Sequence, residues 1–266
     1  MIGVFDSGIG GLSILRELAR LLPQISTLYL ADQAHLPYGE RLAEEVQALT
    51  LRCASWLVAR GCDPIVIACN TASAAALDLL RQRFPHIRFV GVEPAVKPAA
   101  RQTRSGVIGV LATRATLQSR RYADLLDRWV TSARIVEHAC PSWVEAVEAM
   151  ADQSVLEALV APCVHSLLDQ GADALVLGCT HFPFLSPWIA RAIAAWREAH
   201  PDAPEITVID PAPAVAQQTV RQIGEGFAQP ESVVVRRFVT TGDPMHFSAV
   251  ASYWLGWNVD AEHAQC

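Results

Sequence analysis

The chain has 266 residues, 52% of them apolar and 18% charged, with a formal net charge of −6. That is enough apolar material for a substantial core and enough length for two small domains. Its arginines are scattered along helix-like segments and form no basic tract, which points away from nucleic acid as a partner and toward a small polar ligand.

The first strand pattern, Ile2 to Phe5, runs into Asp6-Ser7-Gly8-Ile9-Gly10-Gly11 before a helical pattern from Leu12 to Leu22. Glycines in such a turn permit positive φ and close ligand approach. The spacing is not G-x-G-x-x-G, no Gly-Lys-Ser/Thr follows, and Phe5 stands where a nucleophile elbow needs its first glycine. What the turn offers is the carboxylate of Asp6 and the hydroxyl of Ser7 at a strand end. Thr27 to Ala31 reads as the second strand, and the loop Asp32 to Glu40 breaks at Pro37, Tyr38 and Gly39 before a long helix, Leu42 to Arg60. The loop's backbone suits a ligand carboxylate; an ordinary strand-to-helix turn is the competing reading.

Pro64 to Ala68 reads as a buried strand that delivers Cys69-Asn70-Thr71 to the start of a helix over Ser73 to Phe84, and Arg88 to Val92 follows as another strand. The proline-marked stretch Glu93 to Thr103 is poor in strand signal and reads as a domain crossing. Strands then fall at Val107 to Leu111, Arg134 to Glu137 and Ala174 to Leu177, with helices over Leu117 to Trp129 and Val155 to Leu168. The third of these strands delivers Cys179-Thr180-His181 to a helix over Phe184 to Ala199. A second crossing loop, His200 to Glu205, precedes a strand at Ile206 to Ile209, a helix over Ala212 to Phe227 and a strand at Val233 to Val239. Asp243 as N-cap and Pro244 at the first helical position open a last helix, Met245 to Leu255.

This alternation predicts an α/β fold of mostly parallel strands, and nine strands are too many for one comfortable sheet here. We therefore expect two similar doubly wound α/β domains, residues 1–95 with 206–266 and residues 96–205, with the ligand in the cleft between them. Ile2-Gly-Val-Phe-Asp6-Ser7 resembles Val107-Ile-Gly-Val-Leu-Ala-Thr113 at nearly the offset that separates Cys69 from Cys179, so the halves read as an old duplication with one thiol each.

Seven cysteines, at 53, 62, 69, 140, 163, 179 and 266, give an odd count with no Cys-x-x-Cys, which reads as reduced thiols in a cytosol. No apolar run reaches the roughly 18 to 20 residues of a membrane-spanning helix, and Met1 leads into a strand pattern with no leader-like segment, so a cytoplasmic protein without a membrane partner is expected. Cysteine is among the most buried residue types, and Cys53, Cys62, Cys140, Cys163 and Cys266 keep that core reading. Cys69 and Cys179, at matching strand-to-helix junctions, are the candidates for chemistry, because unpaired N–H groups at a helix start favour a thiolate. Asn70, Thr71 and Thr180 read either as helix caps or as donors to a carboxylate, and His181 as a proton partner for Cys179 or an anion donor. A metal on Cys69, Cys179, His181 and an aspartate finds no supporting spacing, so no metal is expected.

Taken together, Phe-Asp6-Ser7-Gly-Ile-Gly-Gly-Leu-Ser, Pro37-Tyr38-Gly39, Ile-Ala-Cys69-Asn70-Thr71-Ala-Ser-Ala, Leu-Gly-Cys179-Thr180-His181-Phe-Pro and Thr-Gly-Asp-Pro resemble the bacterial glutamate racemases, in order and spacing, from Met1 to about Leu255. The departures are Phe182 in place of Tyr and Gln33 in place of a small residue or Thr, neither at a matched catalytic position. The resemblance implies cofactor-independent inversion of glutamate at its α-carbon, feeding D-glutamate into peptidoglycan synthesis. It implies Cys69 as proton exchanger for the D-enantiomer, assisted by Asp6, and Cys179 for the L-enantiomer, assisted by His181. Ser7, Pro37, Tyr38, Gly39, Asn70, Thr71, Thr180 and His181, with Asp6, would surround the substrate. A second-domain glutamate assists in some members, and Glu148 is the nearest match, with Glu145 a close rival. Aspartate racemase is the nearest alternative within the superfamily; a non-catalytic amino-acid binder and a thiol redox protein are the alternatives outside it. Trp254 and Trp257 are candidates for a homodimer contact or for core packing.

Overall fold

A computed structural model of the chain describes residues 1–224 and 233–266. Two parallel sheets carry the fold. The first holds β1 (Ile2–Asp6), β2 (Thr27–Ala31), β3 (Ile65–Ile67), β4 (Phe89–Gly91), β9 (Arg236–Thr240) and β10 (Ala261–His263), in the order β10-β9-β2-β1-β3-β4. The second holds β5 (Val107–Ala112), β6 (Arg134–Ala139), β7 (Ala174–Gly178) and β8 (Thr207–Ile209), in the order β6-β5-β7-β8. The first sheet thus contains β2-β1-β3-β4, the same winding as β6-β5-β7-β8. The duplication read from the sequence is therefore present in strand order, with β3 and β7 as the equivalent strands that end at the two thiols.

Helices cover the sheets because β1, β2, β3 and β7 are apolar on both faces and fully buried. In the first lobe these are α1 (Leu12–Leu21), α2 (Ala43–Val58) and α3 (Asn70–Arg83), and in the second α5 (Arg114–Leu117), α6 (Arg120–Trp129), α8 (Gln153–Leu168) and α9 (Ser186–Ala199). A short helix, α4 (Val96–Gln102), fills the proline-marked crossing, and α10 (Ala212–Ile223) returns to pack on α1. The last helix, α11 (Pro244–Leu255), begins as expected, with Asp243 Oδ1 accepting from Met245 N–H at 2.9 Å.

Several expectations are corrected. β8 pairs with β7, so the chain stays with the second sheet until Ile209 and does not return at residue 206; its sequence gave a strand but not a partner. Arg114–Leu117 is a separate turn of helix because the hydroxyl of Thr113 caps it by accepting from Thr116 N–H, and Ser119 starts α6 afresh in the same way with Tyr122 N–H. Three further elements were not expected: α4 in the proline-marked crossing, β10, whose alternation is only three residues long, and α7 (Pro141–Glu148), which starts with a proline at its first position. The strand expected at Val233 begins at Arg236. The expected end of the Ala212 helix, Phe227, lies outside the described residues. Among the described residues, no helix is long and apolar enough to cross a membrane.

Candidate active site

The carboxyl ends of β1 and β3 in one lobe face those of β5 and β7 in the other, the position where open α/β sheets bind ligands. One cavity lies there. Ser7, Pro37, Tyr38, Gly39, Cys69, Asn70, Thr71, Cys179, Thr180 and His181 all line it, and so do Glu40, Thr113, Pro141, Val144 and Glu145. Of the catalytic and binding candidates singled out from the sequence, Asp6 and Glu148 stand behind the wall.

Cys69 is the N-cap of α3: its sulfur accepts from Ala72 N–H at 3.4 Å and lies 3.8 Å from Ser7 Oγ. Burial nonetheless pushes its thiol up to about 12, and the neighbouring Asp6 carboxylate adds to the rise. Asp6 is fully buried. Its Oδ1 accepts from Gly8 N–H at 2.9 Å and its Oδ2 from the Thr180 hydroxyl at 3.0 Å, a bond that crosses between the lobes. Desolvation raises its carboxyl above the usual range, against the opposing pull of His181.

Cys179, at the end of β7, sits in a different electrostatic setting. His181 Nδ1 lies 3.8 Å from its sulfur, and His181 Nε2 lies 2.8 Å from Glu148 Oε1 on α7. Burial alone would lower the imidazole's pKa; its bonds to Cys179 and Glu148 outweigh that and raise it well above the ordinary value. Glu148 mirrors it. Burial would raise its carboxyl, but the His181 bond, together with donors from Ile9 N–H at 2.7 Å and Gln33 Nε2 at 3.0 Å, brings it below the ordinary value. Each thiol thus has an opposite companion charge: a carboxylate beside Cys69, an imidazolium beside Cys179.

Glu148 is the glutamate that touches His181, while Glu145 lines the cavity wall. Gln33, a departure that touches no matched catalytic residue, nonetheless reaches the glutamate that holds His181. Its amide nitrogen donates to Glu148 and its amide oxygen accepts from the Thr240 hydroxyl at 3.0 Å, a chain that ends on His181. A polar side chain just after the second strand was the available signal. Thr113 was also missed as a site residue, although it follows β5 as Ser7 follows β1; its hydroxyl pairs with that of Thr71 at 3.0 Å. The Tyr38 hydroxyl is committed to Asp32 Oδ2 at 2.6 Å. Asn70 is buried with both Oδ1 and Nδ2 unpartnered.

None of Gly8, Gly10 and Gly11 has positive φ; Gly8 and Gly10 are explained by proximity to the other lobe, and Gly11 by Ala68, Asp6 and Tyr29 of its own. A Cβ on Gly10 would stand 2.4 Å from His181 Nδ1, and one on Gly8 would stand 1.9 Å from Glu148 Oε1. Phe182 is fully buried with its ring edge-on to Trp143, centroids 4.8 Å apart, a contact that gives a phenolic hydroxyl no role.

Comparison with known proteins agrees with this geometry. Residues 2–219 match the family model of Asp/Glu/hydantoin racemases. A glutamate racemase of Roseiflexus sp. (strain RS-1) is 49% identical over 251 residues, covering 93% of this chain and 89% of that one. A glutamate racemase of Francisella tularensis, solved in complex with D-glutamate, superposes with a TM-score of 0.83 at 27% identity, covering 99% of this chain and 97% of that one. The Escherichia coli glutamate racemase, solved with L-glutamate and the activator UDP-MurNAc-ala, superposes with a TM-score of 0.83 at 28% identity, covering 98% and 97%. The chain belongs to the Asp/Glu/hydantoin racemase family and is an amino-acid racemase, an isomerase whose near relatives are glutamate racemases.

Proposed function

We propose that the cleft interconverts L- and D-glutamate by two-thiol proton exchange at the α-carbon. The observation that carries this reading is the placement of Cys69 and Cys179 on one cavity, at the ends of equivalent strands of the two lobes. In the L-to-D direction, Cys179 as thiolate takes the α-proton and the Cys69 thiol delivers its own proton to the opposite face. Each turnover leaves the proton on the other sulfur, and the reverse reaction restores it. The surroundings suit that starting state, since His181 Nδ1 stands 3.8 Å from the Cys179 sulfur, within reach to exchange a proton, while burial and Asp6 keep Cys69 protonated.

The α-proton of an amino acid is weakly acidic, so the developing carbanion needs donors fixed in advance around the carboxylate. Asn70 and Thr71, in the first turn of α3, and Thr180, beyond β7, are assigned to the substrate's carboxylates, with the N–H groups and dipole of α3 adding positive potential. Ser7, Pro37, Tyr38 and Gly39 complete the enclosure. Closure of the lobes, residues 1–95 and 210–266 against 96–209, would exclude water from the intermediate.

The closest alternative is aspartate as substrate, and the identities to glutamate racemases favour glutamate. The product is assigned to peptidoglycan synthesis in the cytoplasm, where both thiols stay reduced. Incubation of either enantiomer of glutamate in deuterated water should place deuterium at Cα of the product. No incorporation from either enantiomer, or faster turnover of aspartate, overturns the assignment. The division of labour is tested with Cys69→Ser and a substrate analogue bearing a good leaving group: Cys179 should still catalyse one-sided elimination while racemisation fails.

A further inference from the structure

At the start of α7 lies a second group of soft ligands that the reaction does not use. His138 is the penultimate residue of β6, Cys140 is the N-cap of α7, and Cys163 lies on α8. Their three ligand atoms, one imidazole nitrogen and two sulfurs, lie within 4.8 Å of one another. In the sequence these cysteines read as core residues, with no metal-binding spacing. The fold brings them together across a strand end and two helices.

We propose that His138, Cys140 and Cys163 form a binding site for one thiophilic divalent cation of the Zn2+ type. Two thiolates and an imidazole are the donor set that Zn2+ prefers, and one that Mg2+ and Ca2+ do not. Tetrahedral coordination at about 2.0–2.3 Å places ligands roughly 3.3–3.8 Å apart, so the three atoms need to close in by at most about 1.5 Å. The sulfurs are not held by strong bonds. Cys140 Sγ donates to the His138 carbonyl at 3.5 Å and Cys163 Sγ to the Leu159 carbonyl at 3.4 Å, weak thiol bonds that rotation about χ1 releases. His138 and Cys163 are only half-buried, which leaves an approach for the ion and room for a water as fourth ligand. Binding expels the two thiol protons to solvent, leaving a neutral Zn(Cys)2(His) unit.

The site's position gives it a consequence. Cys140 caps the helix whose first residues, Pro141, Val144 and Glu145, wall the cavity and whose last, Glu148, holds His181. A bound cation ties the start of that helix to α8, so occupancy fixes one wall of the cleft; this part rests on the functional reading above, whereas the binding itself does not.

The test uses the full chain, reduced with a phosphine and titrated with Zn2+ against a chromophoric chelator. Cys69→Ser/Cys179→Ser removes the thiols of the cleft and is expected to keep one tight equivalent. Adding Cys163→Ser to that background should weaken it by at least about 100-fold, a larger loss than that of an outer-shell partner. In the otherwise native chain, Cys163→Ser should leave racemisation without metal unchanged. His138→Gln, which keeps both thiols, should also weaken binding, and Co2+ should give thiolate-to-metal absorption in the near ultraviolet that Cys163→Ser abolishes. Absence of a tight equivalent in Cys69→Ser/Cys179→Ser with intact far-ultraviolet circular dichroism, or affinity unchanged by both Cys163→Ser and His138→Gln, overturns the proposal.

Discussion

His181 and Glu148 form a buried ion pair across the base of the cleft, Nε2 to Oε1 at 2.8 Å, and the other ring nitrogen of His181 faces the Cys179 sulfur. The pair sets both the charge on the imidazole and the direction in which its Nδ1 points. Glu148→Gln keeps the shape and removes the charge, so His181 loses what holds its pKa up. We expect kcat to fall on the order of 100-fold with little change in KM, in the range of lost general acid–base assistance. Stability should follow a definite pH pattern. Glu148's lowered pKa gives stabilisation that is complete above its ordinary value of 4.5 and lost as pH falls through the lower folded value. His181's raised pKa gives stabilisation complete below its ordinary value of 6.5 and lost as pH rises through the higher folded value. Urea unfolding of both proteins across pH should show the largest deficit, roughly 3 kcal/mol, between these two values. A deficit independent of pH would show that the pair is not ionised.

Gln33 acts one bond further out. Gln33→Leu removes its donor to Glu148 and its acceptor for Thr240 at nearly constant volume. A hydrogen bond to a charged partner contributes roughly 1.5–3 kcal/mol, so kcat should fall about tenfold or more while KM holds. Combined with Glu148→Gln, the losses should be less than additive, because both act through His181. Full additivity in a double-mutant cycle would place Gln33 outside the chain.

Cys69 gives a prediction in thiol reactivity. With its thiol at about 12, the thiolate fraction at neutral pH is minute, and alkylation of this residue should accelerate about tenfold per pH unit from 7 to 10. Peptide mass spectrometry resolves it from the other six cysteines. Asp6→Asn deletes a charge that raises the Cys69 value and should speed its alkylation at pH 8, with its exposure otherwise unchanged. A plateau below pH 9 would contradict the electrostatics of this half of the site.

Much of this site was legible in the sequence because its parts are local. A β-branched run ending in Cys-Asn-Thr or Cys-Thr-His marks a strand feeding a helix, and both thiols stand at such junctions. The two-sheet division and the shared winding followed from the same alternation. What was not legible depends on contacts between distant segments. Glu145 and Glu148 are three residues apart on one face of α7, so helical spacing cannot separate them; Ile9 N–H and His181, from two other loops, do. Gly10 looked like a turn residue, and its reason is the imidazole of the other lobe. The partner of β8 and the pairing of β10 at the sheet edge are likewise settled by neighbours, since three-residue strands carry almost no periodic signal.

Asn70 supplies a case where stability and function should separate. Both polar atoms of its amide are buried without a partner, a state that costs roughly 1–3 kcal/mol in the ligand-free protein and is relieved when a substrate carboxylate or ammonium fills the cavity. Asn70→Ala deletes that unsatisfied group together with its binding capacity. The ligand-free variant should therefore unfold at the same temperature as the native chain or higher, whereas KM for glutamate should rise about 10- to 100-fold, the kinetic equivalent of 1.4–2.8 kcal/mol. Glutamate at saturating concentration should raise the melting temperature of the native chain more than that of the variant. A variant that is destabilised without ligand yet keeps its KM would mean that the Asn70 amide serves packing at the start of α3, and that the substrate's carboxylate is held by other groups.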